Sequence, residues 1–431
     1  MRPILWRFTA AANALLALVL AIAATLHAAR RPHYGGELRV EMHASLRTLD
    51  PMEIPDDPAA LAAQRLWLPA VFETLVRLDD QGRPQPWLAT SWVRDPQRKS
   101  WIFTVRKDVK FHDGTPWSPA GGVLAFPDDR PIDQILRELA GARNAITLRA
   151  ADGSLLGTGP YRIARWDAGK SATLAANEQY WGGPPYLDTI AIQMSRTLAE
   201  QASDFQIGKA DAAEIPLRDL RAAKQKGTLT SETPPMETLA LVFENGRVAG
   251  NIRKALALSI DRTAIFNVLL QKQGEISGAL LPRWLSGYAF LFPAERDVAK
   301  ARQMAAAPAS LNFAYDREDP VVRPIAERIA VNAMEAGIAL RPGNNPANPI
   351  DLRLLRLPIT TGDPWLALQD LAAVLKMPAP AATASPYEAE KSLLDGSGAI
   401  PLFQLPQAWV LRSRVRNWPR FEEIWLDSGA P

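Results

Sequence analysis

Four histidines, His27, His33, His43 and His112, are the only imidazoles in the chain. They bound the acid–base and metal chemistry open to it. None forms an HxxH or HExxH pair, so no dedicated zinc or nickel site is expected. His112-Asp113 puts an imidazole beside a carboxylate and admits two readings. One is a general base with its orienting acid. The other is a turn, since Asp113-Gly114 is a strong turn dipeptide. The turn is preferred, because adjacent side chains rarely converge on one substrate atom. Gly157-Thr158-Gly159-Pro160 has the glycines of a phosphate cradle. It precedes an extended segment and contains proline, whereas phosphate cradles open a helix. Neither a Walker A sequence nor a G-x-S-x-G elbow is present. Asp363-Pro364-Trp365 also reads two ways. Asp can cap a helix with Pro at its first position, or present a carboxylate beside an aromatic wall to an ammonium group. The local pattern favours the helix start.

Composition removes further classes. The 431 residues contain no cysteine, which excludes disulfides, thiolate metal sites, cysteine nucleophiles and a lipidated N-terminal cysteine. The formal net charge is only +3 and no basic block stands out, so no nucleic-acid footprint is seen. Hydrophobic residues make up 47% and charged residues 22%, a globular balance long enough for two or three domains. Thirteen tryptophans stand against seven tyrosines, and indoles cover apolar area in cores and pockets alike.

Arg2 and Arg7 precede the apolar run Leu15 to Ala24, and Ala28-Ala29 follow. This is the charged, apolar, small-residue order of a secretory signal. Leu26 sits where a small residue is preferred before cleavage. From Ala10 to Leu26 the run reaches about 17 residues, the lower edge of a membrane span. Residues 1–29 are therefore read as a signal peptide or a retained N-terminal anchor, with residues 10–29 as the tether.

The elements that must position any site alternate between the strand and helix periods. Strands are predicted at 36–42, 101–105, 145–149, 189–194, 238–243, 311–315 and 351–357. A hairpin is expected over 161–176, with its turn at Asp167-Ala168-Gly169-Lys170. Helices are predicted at 59–78, 132–139, 198–207 and 217–226. Asn251 and Asp261 are expected to cap two more. Asp319-Pro320 opens a helix that Gly337 closes, and the flanking strands then favour parallel pairing. The C-terminal part returns to strands at 400–404 and 408–412.

Several stretches, in order, resemble the extracellular solute-binding proteins of family 5, which serve peptide, nickel and related ABC importers. They are Gly35-Gly36-Glu37-Leu38, Leu49-Asp50-Pro51, Pro86-Trp87-Leu88-Ala89-Thr90-Ser91-Trp92 and Phe111-His112-Asp113-Gly114-Thr115-Pro116. Gly157-Thr158-Gly159-Pro160-Tyr161, Asn177 to Gly183 with its Tyr180-Trp181-Gly182-Gly183, Arg253 to Arg262 and Ile400-Pro401-Leu402-Phe403 continue the series. Two departures stand out. Ser118-Pro119-Ala120-Gly121-Gly122-Val123-Leu124 replaces an acidic helix, and the stretches to Gly157 and over Glu244–Gly250 are shortened.

The resemblance implies an α/β, two-lobed periplasmic binding protein fold of type II, hinged like a Venus flytrap, with interlobe crossover strands. It places lobe I at 35–243, with a reduced subdomain near 50–155. Lobe II spans 251–398, and 399–431 return to lobe I. It also implies a ligand-binding role for Asp363 toward a peptide's amino group, with Trp365 as the adjacent wall. Ser45, Leu46 and Trp284 join them as candidate ligand contacts. The expected function is the substrate-binding component of an ABC importer, outside the cytoplasm, acting as a monomer with a permease partner. It takes a peptide or similar small solute and needs no catalysis, cofactor or metal. Two alternatives stay open: a tethered sensory or interaction protein that keeps the fold, and an exported hydrolase resting on His112.

Overall fold

The computed structural model describes residues 32–427, apart from 80, 245–246, 289–290, 292–294, 344–348, 382–383 and 396–397. The segment 1–29, read as a signal or anchor, lies outside the described residues. Among the described residues no helix is long and apolar enough to cross a membrane.

One eleven-stranded sheet runs through both halves of the molecule. At one end, Glu37–Glu41 pairs in parallel with Thr189–Gln193 and Ala212–Glu214. The hairpin Tyr161–Asp167 and Ser171–Ala176 extends this edge antiparallel, as the sequence predicts. At the other end, Ala309–Tyr315 pairs in parallel with Ile338–Pro342 and Leu352–Pro358. The helix Val322–Glu335 makes the crossover. Leu229–Phe243 and Ala399–Leu411 join the two ends, antiparallel to each other over most of their length. Their ladder shifts register on both sides of Pro235, which faces Pro406. Proline has no N–H to give to a ladder, so paired prolines interrupt it where the strands pass between halves.

Alternation along the crossover strand explains how the second half is covered. Leu239, Leu241 and Phe243 enter one core with Leu256, Ile325 and Ile329. Ala240, between them, enters another with Leu368, Leu371 and Leu393. Successive strand side chains point to opposite faces, so helices clothe this part of the sheet on both sides. In the first half, Leu38, Val40, Trp67, Tyr161 and Ile192 form the main core. A satellite core of Val76, Phe103, Val109 and Ile135 lies beneath the three-stranded sheet of Ala89–Asp95, Ser100–Val105 and Val123–Phe126.

Several expectations are corrected. The helix expected over 59–78 is Pro58–Val71, capped by Asp57 and followed by the short strand Val76–Leu78. It stops because Phe72 turns extended, which sends Glu73 into the interior. The strand expected at 145–149 shrinks to Leu148–Arg149. Asn251 is not a cap: its helix starts at Gly250, and the Asn251 amide donates to the Met304 carbonyl instead. The two C-terminal strands are one, because Pro406 interrupts the ladder without ending the strand.

Candidate functional site

A cavity of about 1230 Å³ lies between the halves, large enough for a ligand bigger than one amino acid. Thr233, Pro234 and Met236 of the crossover strand line it. Arg65, Phe72, Glu73, Arg77 and Trp87 come from the first half, and Trp284, Thr361, Trp365 and Asp370 from the second.

Glu73 organises the first wall. Its side chain is buried, with no cation bonded to it among the described residues. Oε1 accepts hydrogen bonds from Trp87 Nε1 at 2.8 Å, Tyr180 Oη at 2.9 Å and Trp181 Nε1 at 3.1 Å. Oε2 accepts from Thr158 Oγ1 at 2.8 Å. Burial pushes this carboxyl up to about 7, and the four donors pull it back part of the way. The two indoles meet edge to face at 5.0 Å. Arg77 stacks on Trp87 at 3.8 Å and Arg106 on Trp181 at 3.9 Å, which holds both rings in place, Trp87 against the cavity.

The neighbouring glycines are there for close approach. A β-carbon on Gly157 would lie 2.0 Å from the Val71 carbonyl oxygen, and one on Gly159 would lie 2.7 Å from it. Three separate sequence signatures, Pro86 to Trp92, Gly157 to Tyr161 and Asn177 to Gly183, thus converge on one carboxylate. Sequence reasoning missed Glu73, since nothing local to Phe72-Glu73-Thr74 distinguishes it.

His112-Asp113 is a turn. Asp113 Oδ1 accepts from Thr115 N, and the Gly114 N–H reaches the Phe111 carbonyl. The imidazole is tied to the Gly157–Gly159 loop: Gly157 N donates to Nδ1 at 3.2 Å, and Nε2 lies 3.2 Å from the Gly159 carbonyl. Burial holds it down to about 4, and it is not part of the cavity lining.

Of the five sequence-selected ligand contacts, two line the cavity. Trp284 donates to the Pro235 carbonyl at 2.9 Å. Trp365 also faces the cavity, and its buried indole N–H has no acceptor among the described residues. Asp363 sits behind the wall as a buried N-cap. Its Oδ1 accepts from Trp365 N and Leu366 N, both at 2.9 Å. Its Oδ2 accepts from Arg137 Nε at 2.6 Å. The helix-start reading is therefore met. Ser45 and Leu46 do not belong to the cavity. Leu46 is packed into the first core, and Ser45 is exposed, with Oγ donating to the Gly169 carbonyl. An extended segment of this kind buries alternate side chains in its own core.

Residues 83–120 and 140–348 match the family model described as bacterial extracellular solute-binding proteins, family 5 Middle. The chain belongs to this family. Among curated relatives, the probable D,D-dipeptide-binding periplasmic protein DdpA of Escherichia coli K12 is 25% identical over 307 residues, 59% of this chain and 60% of the relative. The nickel-binding periplasmic protein of the same organism is 24% identical over 286 residues, 54% of this chain and 55% of the relative. The alignments thus span little more than half the length of these relatives.

Solved structures of family 5 relatives share the fold across nearly the whole chain. AppA of Bacillus subtilis in complex with a nonapeptide superposes with a TM-score of 0.72 at 16% identity, covering 92% of this chain and 100% of that one. DppA of Helicobacter pylori in complex with the peptide STSA gives 0.73 at 15% identity, covering 91% and 98%. The two-lobed binding-protein fold of this family is therefore the fold of this chain, and family members are solute-binding proteins.

Proposed function

We propose that this chain is the substrate-binding component of an ABC importer. It captures a peptide or similar small solute in the cavity between the halves and hands it to a permease. The observation that carries the reading is the 1230 Å³ cavity itself. It is enclosed by two halves with different main cores and floored by a strand that passes between them through paired prolines. Such a hinge lets the halves close over a solute. The names of DdpA and of the nickel-binding relative support the solute class and a periplasmic setting. In this reading lobe I runs to about Glu232 and resumes near Pro406, with lobe II between, and the protein acts as a monomer outside the cytoplasm.

No bond-making is assigned to the chain. His112, on which a hydrolase reading rests, is half-buried and bonded to backbone. Isothermal calorimetry against dipeptides, tripeptides and nickel–histidine, paired with small-angle scattering, tests the reading. A saturable heat and a smaller radius of gyration with the same solute are expected. Absence of both across the panel, or turnover of a peptide, overturns it.

A further inference from the structure

The helix Pro364–Val374 carries one carboxylate at its N-cap and a second seven residues later, Asp370. Seven residues are two helical turns, so both lie on one face. Each is met by an arginine from the first half. Arg137 Nε reaches Asp363 Oδ2 at 2.6 Å. Arg65 grips Asp370 through Nε at 2.9 Å and Nη2 at 2.8 Å, the bidentate form that fixes a carboxylate most firmly. A third contact lies beside them. A β-carbon on Gly82 would sit 1.9 Å from the Gly362 carbonyl oxygen, so here the two backbones touch.

Arg137 belongs to the helix Ile132–Ala140, which follows the segment where the sequence departs from its family. Its neighbours Ile135, Leu136 and Leu139 bury into the satellite core, which leaves Arg137 free to reach the second half. Asp363 is thereby largely satisfied: two backbone amides meet one oxygen, a guanidinium meets the other, and the side chain is buried behind the cavity wall. A solute ammonium could bind there only by displacing Arg137. The cations on the cavity wall that lack a carboxylate partner among the described residues are Arg77 and Arg143.

We propose that Arg137 is the built-in partner of Asp363. The pair clasps the two halves together beside the cavity and keeps Asp363 from any solute ammonium, while Arg77 and Arg143 stand open on the wall, so the cavity takes carboxylates whose amine is blocked or absent. The choice of solute rests on the binding reading above; the clasp does not.

The chain has no cysteine, so Gln97→Cys and Ser392→Cys, exposed sites on opposite halves, accept spin labels without background. Pulsed dipolar spectroscopy on the solute-free protein is expected to give one short distance. Arg137→Gln and Asp363→Asn should each lengthen and broaden it, and the double variant should go no further. Asn caps a helix as well as Asp, so Asp363→Asn tests the ion pair without unmaking the helix. Distributions that overlay the parent's sink the clasp.

Selectivity is read by calorimetry with Ala-Ala and N-acetyl-Ala-Ala. The parent should show no preference for the free amine. Arg137→Gln should shift the affinity ratio toward Ala-Ala by about tenfold, an effect near 1.4 kcal/mol. An unmoved ratio, or a free-amine preference in the parent that Asp363→Asn removes, overturns the selectivity. A protein that binds neither peptide while its distances respond as expected counts against solute capture and leaves the clasp standing.

Discussion

Glu73 and Asp363 are both buried carboxylates beside the same cavity, yet their surroundings differ in kind. Glu73 is held by two indole N–H groups, a phenol and a threonine hydroxyl, with no cation bonded to it among the described residues. Asp363 is held by an arginine and by the amides at a helix N-terminus. All of Glu73's donors come from the first half, so it stiffens one wall. Asp363 draws its cation from the opposite half, so it ties one wall to the other. A carboxylate among neutral donors has its desolvation only partly offset. One beside a guanidinium is compensated but depends on the partner staying in reach.

The largest way to break this comparison is Glu73→Ala. It leaves four donors without an acceptor, the buried Thr158 and Tyr180 hydroxyls costing about 1–3 kcal/mol each and the half-buried Trp87 and Trp181 indoles less. A stability loss on the order of 4 kcal/mol is expected in urea unfolding, against about 1–2 kcal/mol for Glu73→Gln, which keeps one acceptor oxygen. If Glu73→Ala unfolds like the parent, the carboxylate does not organise the wall.

The pH dependence sharpens the contrast. The Glu73 carboxyl titrates near 7 when folded and at its ordinary, lower value when unfolded. Between pH 4.5 and 7 the unfolded chain has released a proton that the folded one retains. This group therefore lowers stability as pH rises, by about 3 kcal/mol in all. His112 runs the other way. Its folded value is about 4, so the unfolded chain binds the extra proton between pH 4 and 6.5. It raises stability with pH by a similar amount. The contributions of these two groups should thus nearly cancel from pH 4.5 to 6.5. Glu73→Gln should expose a rising slope and His112→Gln a falling one, read as urea midpoints at half-unit steps. A parent slope unchanged in both variants rejects the assignment.

Smaller effects test the tie. Asp363→Ala removes cap and ion pair and should cost about 1–2 kcal/mol, most of which Asp363→Asn restores. A full loss in the Asn variant would mean that the ion pair, not the cap, carries the stability. Trp284, partly exposed at 41%, should lose less than about 1 kcal/mol on change to Ala. The variant should still weaken solute binding, as calorimetry would show.

The sequence carried those parts of the fold that depend on local chemistry. Asp113-Gly114 needs only a turn, Asp363-Pro364 only a helix start, and Tyr161–Ala176 only its alternation and Gly169. What it hid depends on distant partners. Glu73 is set apart by side chains that arrive from Trp87, Thr158, Tyr180 and Trp181, none within ten residues of it. Arg137 looks like any solvated position on an amphipathic helix until Asp363 is placed opposite. Pro406 reads as a strand end because prolines usually are, yet the neighbouring pairs of Ala399–Leu411 hold the strand across it. Leu46, chosen as a contact, follows an ordinary alternation into the core.

The facing prolines, Pro235 and Pro406, have one more effect. A door whose pivots turn freely is held shut by its bolt alone. With ladder donors missing at the pivot, swinging the halves apart breaks few main-chain bonds there, and the resistance shifts to contacts across the cleft, Arg65–Asp370 and Arg137–Asp363 among them. Raising the salt concentration, which screens the partly exposed Arg137–Asp363 pair more than the better buried Arg65–Asp370 pair and leaves a strand ladder alone, should then loosen the door without touching its pivots.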